Sequence, residues 1–117
     1  MNQKISLFDL RKKIAKFVDE RDWQQFHSPK SLSIAIAIEA AELMEHFQWD
    51  NGTGKETLKR SKKAIEQELA DILAYLLSFS NLYDIDLSKA LMNKLKINAK
   101  KYPIKKSRGS AKKYNEL

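Results

Sequence analysis

The sequence predicts an all-α protein, and three observations carry that prediction. Three Gly and two Pro in 117 residues leave little punctuation for many short strands. Apolar residues recur three and four apart over long runs, the spacing of one helix face. Ser or Asp stands where such runs begin, in position to cap them. Hydrophobic residues make up 43%, enough for a core, and the length suits a single domain.

The elements follow in order. Ser6-Leu-Phe-Asp9 sets a cap and an acid at the third helical position. Leu7, Leu10, Ile14, Phe17 and Val18 then predict a first helix to about Asp19. Glu20 to His27 is aromatic and polar without periodicity and reads as an ordered loop. Ser28-Pro29 starts a second helix, because Pro loses nothing in a first turn where its N–H has no partner. This helix, to about Gln48, is apolar almost all round, so neighbours are expected on most sides. Asn51-Gly52 and Gly54 break the pattern. A third helix is predicted from about Leu58 to Tyr83 and a fourth, capped by Asp86, to about Lys101. Pro103 stops it, and the last fourteen residues read as an extended basic tail.

Composition bounds the chemistry. There is no Cys, hence no disulfide, thiolate metal site or Cys nucleophile. The longest uncharged run, Ile72 to Tyr83, is too short to span a bilayer. The N-terminus shows no apolar signal core, so no membrane partner and a cytoplasmic setting are expected. Net charge is +7, and from Leu87 onward the basic residues face one acid, Glu116. Such an excess favours a polyanionic partner without choosing among nucleic acid, membrane and phosphate ligand.

The informative acids interrupt apolar helices. Glu39 and Glu42 lie three residues apart, on one face with Cβ atoms about 5–6 Å from each other. Glu68 and Asp71 repeat the device on the third helix. Close carboxylates repel, and burial raises the cost. Two such pairs facing each other across consecutive helices would need a cation. Oxygen ligands without Cys suit Mg²⁺, with Mn²⁺ possible, and Mg²⁺ takes substrate phosphates as further ligands. The competing reading is a solvated acidic surface. A di-iron bundle requires Glu-x-x-His, which is absent. Gly52-Thr-Gly-Lys55 is not a P-loop, since Glu56 follows the Lys and Trp49 stands at the first Gly position.

Glu39-x-x-Glu42 and Glu68-x-x-Asp71 resemble the metal motif of the MazG-like nucleotide pyrophosphohydrolases, and most closely the dCTP pyrophosphatase branch. Supporting segments are Glu20-Arg-Asp-Trp-Gln-Gln-Phe-His-Ser-Pro-Lys30, Phe47-Gln-Trp49, Asn98-Ala-Lys-Lys-Tyr-Pro103 and Ser107-Arg-Gly-Ser-Ala-Lys-Lys-Tyr114. The resemblance implies a four-helix bundle over residues 1–103 with a basic tail, 104–117, contributing to a phosphate site. It implies a homo-oligomer, a tetramer favoured over a dimer. It also implies Mg²⁺-dependent cleavage of a dCTP-like, possibly modified, nucleotide to monophosphate and pyrophosphate. One departure concerns the base that activates water: the family often writes Glu-Glu-x-x-Glu, and the leading position here is Ile38.

Site roles follow from that resemblance. Glu39, Glu42, Glu68 and Asp71 would hold the metal, with Glu39 and Glu42 also counted as catalytic. Glu45, one turn after Glu42, is a candidate helper for the attacking water, or an exposed helix acid. His27, Tyr75 and Asn98 match base- or sugar-contacting positions, and Trp49 is a candidate stacking platform, or a packed Trp. Lys101, Tyr102, Arg108, Lys113 and Tyr114 are expected at the triphosphate. Trp23 and Phe26 read as packing residues. The alternative function is a small basic helical module that binds nucleic acid without catalysis. It is disfavoured because the acids are focused on two helices and no nucleic-acid-binding signature appears.

Overall fold

The computed structural model describes residues 4–117, and among them it is helical with no strand. In chain order lie α1 (Leu7–Glu20), a 3₁₀ turn (Gln24–Phe26), α2 (Pro29–Glu45), α3 (Lys55–Leu82), α4 (Leu87–Lys101), α5 (Ile104–Ser107) and a 3₁₀ turn (Tyr114–Glu116). They fall into two compact units, Met1–Asp84 and Ile85–Leu117. No described helix is long and apolar enough to cross a membrane.

The caps form as the sequence dictates. Asp9 N–H donates to Ser6 Oγ at 3.0 Å, and Ser6 N–H donates back to the Asp9 carboxylate. Ser31 N–H donates to Ser28 Oγ at 3.0 Å, with Ser28 N–H returning to Ser31 Oγ at 2.9 Å. Asp86 receives Lys89 N–H at 3.0 Å and starts α4.

The corner between α2 and α3 differs from the periodic reading. α2 stops at Glu45, and Phe47 and Gln48 bond back three residues in tight turns. α3 begins at Lys55, three residues earlier than apolar spacing suggests, because Asp50 gathers the loop. Its carboxylate accepts Gly52 N–H and Gly54 N–H at 2.9 Å each and the Thr57 hydroxyl at 2.8 Å. Those bonds, that of Gly52 first, hold the Asp50 carboxyl below the ordinary range. Gly54 has φ of 77°, and a Cβ there would stand 3.2 Å from the Phe47 ring, so Gly is required twice over.

Within the first unit α3 packs against both α2 and α1. Val18, Leu32, Ile65 and Leu77 are its buried apolar residues. Arg11 ties α1 to α3: its Nε donates to Asn81 Oδ1 at 2.9 Å, and Asn81 Nδ2 donates to the Arg11 carbonyl at 3.1 Å. Ile34 and Ile38 on α2, with Leu69, Leu73 and Leu76 on α3, stay between 38% and 53% exposed.

In the second unit the C-terminal stretch is not extended. The Tyr114 ring meets Tyr102 edge-on, with centroids 6.3 Å apart at 84°, and Lys101 Nζ lies 4.8 Å from the Tyr114 centroid. These contacts return the tail to the end of α4, an aromatic attraction that hydropathy does not register.

Candidate metal and nucleotide site

The two acidic pairs meet because α2 and α3 pack together. Glu39, Glu42 and Glu68 each bring a carboxylate oxygen within 4.8 Å of the others. Asp71, one turn further along α3, is exposed but close enough for its charge to act on Glu39. Glu39 is the most affected member. Burial pushes its carboxyl above the ordinary value, and the charge and hydrogen bond of Glu42, then the charges of Asp71 and Glu68, push the same way. Its Oε2 is buried with no hydrogen-bond partner.

A buried carboxylate oxygen with no donor, facing further acids, is costly unless a cation fills the gap. The donor set is all oxygen, so the residues fit a hard divalent ion such as Mg²⁺ or Mn²⁺. Glu42 and Glu68 also border an open cavity of about 440 Å³ with Glu45 and His46. Glu45 therefore stands beside the acidic cluster, exposed.

A second cavity, about 360 Å³, opens on the other side of Asp71. Tyr75, one turn after Asp71, and His27, from the loop before α2, line it. Trp23 lines it too, and this the sequence reading missed. The indole packs edge-to-face on Phe17, centroids 5.8 Å apart at 74°, yet remains 44% exposed. Both rings of that pair line the cavity. Asp22 helps to aim the indole: its φ of 53° lies in the left-handed region, which Asp tolerates better than most residues. Phe26, read beside Trp23 as a packing residue, is 67% exposed.

Trp49 is 86% exposed and lines a separate pocket formed by the Asp50 loop. Asn98, Lys101, Tyr102, Arg108, Lys113 and Tyr114 belong to the second unit. There Asn98 is half-buried at the end of α4, Arg108 follows α5, and Lys113 precedes the last turn. His46 is the other residue that spacing did not reveal. Its Nε2 lies 2.5 Å from Glu68 Oε2. A search for His in i, i+3 register with Glu misses it, since this contact joins different helices.

Comparison with known proteins points to one family. Residues 34–117 match the model of the MazG-like family. The chain is 42% identical over 115 residues to dCTP pyrophosphatase 1 of Bos taurus, covering 96% of this chain and 68% of that protein. It is 40% identical to dCTP pyrophosphatase 1 of Homo sapiens over the same share of each. Among solved structures, a pyrophosphatase from Archaeoglobus fulgidus matches with a TM-score of 0.80 at 36% identity, covering 88% of this chain and 97% of that one.

Proposed function

The chain belongs to the MazG-like family, and from that premise we propose that it is a Mg²⁺-dependent pyrophosphohydrolase of dCTP-like nucleotides, releasing monophosphate and pyrophosphate. The broader activity, nucleoside triphosphate pyrophosphatase, is that of its relatives. One observation supports the finer reading: Asp71, whose charge acts on Glu39 although it stands outside the close group of Glu39, Glu42 and Glu68, also lines the aromatic cavity. A nucleotide with its phosphates at the acids has its base directed along α3 toward Tyr75.

Glu39, Glu42, Glu68 and Asp71 are the proposed metal ligands. A divalent ion held by them supplies charge against the phosphate oxygens and makes a nearby water more acidic. The protein does the rest. Glu45 borders the same open cavity as Glu42 and Glu68 and is placed to orient the attacking water. Trp23 and Tyr75 offer ring faces to the base, and His27 a hydrogen-bonding edge. Family resemblance assigns Lys101, Tyr102, Arg108, Lys113 and Tyr114 to the triphosphate and Asn98 to the sugar or base, with residues 104–117 acting as a phosphate-binding appendage to the catalytic domain.

Chromatography of a dCTP digest, with and without Mg²⁺, tests the reaction. The expected products are dCMP and pyrophosphate, formed only with the metal. Formation of dCDP and orthophosphate would overturn the assignment of the attacked phosphorus. The reading extends to a substituted base, because an adjoining cavity of about 210 Å³ shares Val18, His27 and Ser78 with the aromatic cavity. Including a 5-substituted dCTP in the digest tests that extension.

A second copy of the chain is the proposed partner. Ile34 and Ile38 on α2 and Leu69, Leu73 and Leu76 on α3 stay partly exposed, and exposed apolar faces of this kind favour burial against another chain. Closed symmetry is the usual way to bury such faces, and the family resemblance favours a tetramer. Light scattering at micromolar concentration should give a mass above the 13.6 kDa of one chain. A fully active monomer would show these faces to be tolerated in water.

A further inference from the structure

The contact between His46 and Glu68 does not follow from the ligand motif. The two residues are 22 apart in sequence and on different segments, yet the imidazole Nε2 reaches the carboxylate Oε2 at 2.5 Å. Both side chains are largely shielded, 25% and 17% exposed, so this is no loose surface pair. His46 sits at the C-terminal cap of α2, one residue past Glu45. Its position therefore follows from where α2 stops, which the Asp50 clamp and the tight turns after Glu45 decide.

We propose that His46 is a positioning residue that fixes Glu68 as a one-oxygen metal ligand and thereby favours a small octahedral cation over Ca²⁺. An ionised carboxylate only accepts hydrogen bonds, so the hydrogen of this contact belongs to Nε2. With Oε2 engaged by the imidazole, Glu68 is left one oxygen without that contact to offer a cation shared with Glu39 and Glu42. Ca²⁺ commonly takes both oxygens of a carboxylate and six to eight ligands in flexible geometry, whereas Mg²⁺ requires near-ideal octahedral geometry and keeps waters. A carboxylate prevented from turning both oxygens inward suits the second ion and handicaps the first. Glu42 meets another member of the cluster, Glu39, whereas Glu68 is held by a donor from outside it, so the effect falls on Glu68.

This inference rests on the metal reading above, and the test separates the two. Mn²⁺ binding to substrate-free protein is followed by the electron paramagnetic resonance of the free ion, with Mg²⁺ and Ca²⁺ as competitors. Three proteins are compared: wild type, His46→Leu, which keeps bulk but donates nothing, and His46→Gln, whose amide N–H can reach where Nε2 does. Loss of a residue that orients a ligand typically weakens metal binding about 10- to 100-fold. His46→Leu should show that loss for Mg²⁺ and little or none for Ca²⁺, so the preference for Mg²⁺ collapses. His46→Gln should restore most of it. Melting temperatures without metal should be alike in the two variants, which a purely structural role would not separate from the binding data. A wild-type Mg²⁺ to Ca²⁺ ratio in His46→Leu, or a His46→Gln as impaired as His46→Leu, overturns the proposal. If the wild-type protein binds no Mn²⁺ at all, the metal reading itself fails and His46 with it.

Discussion

Glu39→Gln is expected to reduce turnover by roughly 10²–10³-fold or more, since it removes one of the proposed charged ligands from a site proposed to work by charge stabilisation. The same substitution should stabilise the metal-free protein at neutral pH. Burial and three neighbouring carboxylates hold the Glu39 carboxyl above its ordinary 4.5, so the folded chain binds that proton more tightly than the unfolded chain does. A raised carboxyl contributes stability that is complete below the unfolded value and lost as pH rises through the folded one. Above that window the wild type carries a strained buried anion, and the neutral amide does not. In chelator, Glu39→Gln should therefore melt higher at neutral pH, and the gap should close as pH falls toward 4.5. With excess Mg²⁺ the order should reverse, because the ion stabilises only the chain that binds it. Thermal melts across pH, with chelator and with Mg²⁺, check each part. Equal melting temperatures throughout would mean that Glu39 is not the strained member of the cluster.

Trp23→Ala is expected to raise KM for dCTP with little change in kcat. Stacking on an aromatic face contributes about 1–3 kcal/mol per base, equivalent to roughly 5- to 150-fold in affinity. The indole lines the same cavity as Asp71, where the proposed reading puts the base and not the reacting phosphorus, so the effect belongs in binding. Trp23→Phe should recover part of it. Steady-state kinetics below the melting temperature of each variant decide the matter, since the indole also packs on Phe17 and its loss costs some stability. An unchanged KM in Trp23→Ala would return Trp23 to a packing role.

Much of the fold was legible because its signals are local. Ser6, Ser28 and Asp86 cap helices by bonds to residues three positions on, and apolar period alone supplies α1 and the body of α2. The acidic pairs were legible for a different reason: Glu39 and Glu42 interrupt a helix that is otherwise apolar nearly all round, a conflict that calls for a partner. What periodicity could not supply depends on contacts between segments. α3 starts early because a loop carboxylate, Asp50, collects two N–H groups and a hydroxyl. The tail folds back because Tyr102 and Tyr114 meet edge-on. Trp23 serves packing and cavity at once, and a residue type cannot announce both. His46 touches Glu68 only because α2 ends where it does. The +7 charge, which suggested nucleic acid, is the least discriminating of these signals, since a triphosphate asks for the same cations.

The Asp50 clamp has a kinetic corollary. All four proposed ligands lie on α2 and α3, within a contiguous stretch closed by the loop of residues 46–54. Short-range pairings close at low entropic cost and form early, ahead of contacts between distant segments. Arg11 on α1, by contrast, meets Asn81 across 70 residues. The helical hairpin that gathers the acids can thus assemble before α1 docks, with their mutual repulsion opposing it from the outset. For a chain arranged in this order, a divalent ion held by the proposed ligands would act during folding as well as in turnover, relieving that repulsion while the hairpin closes.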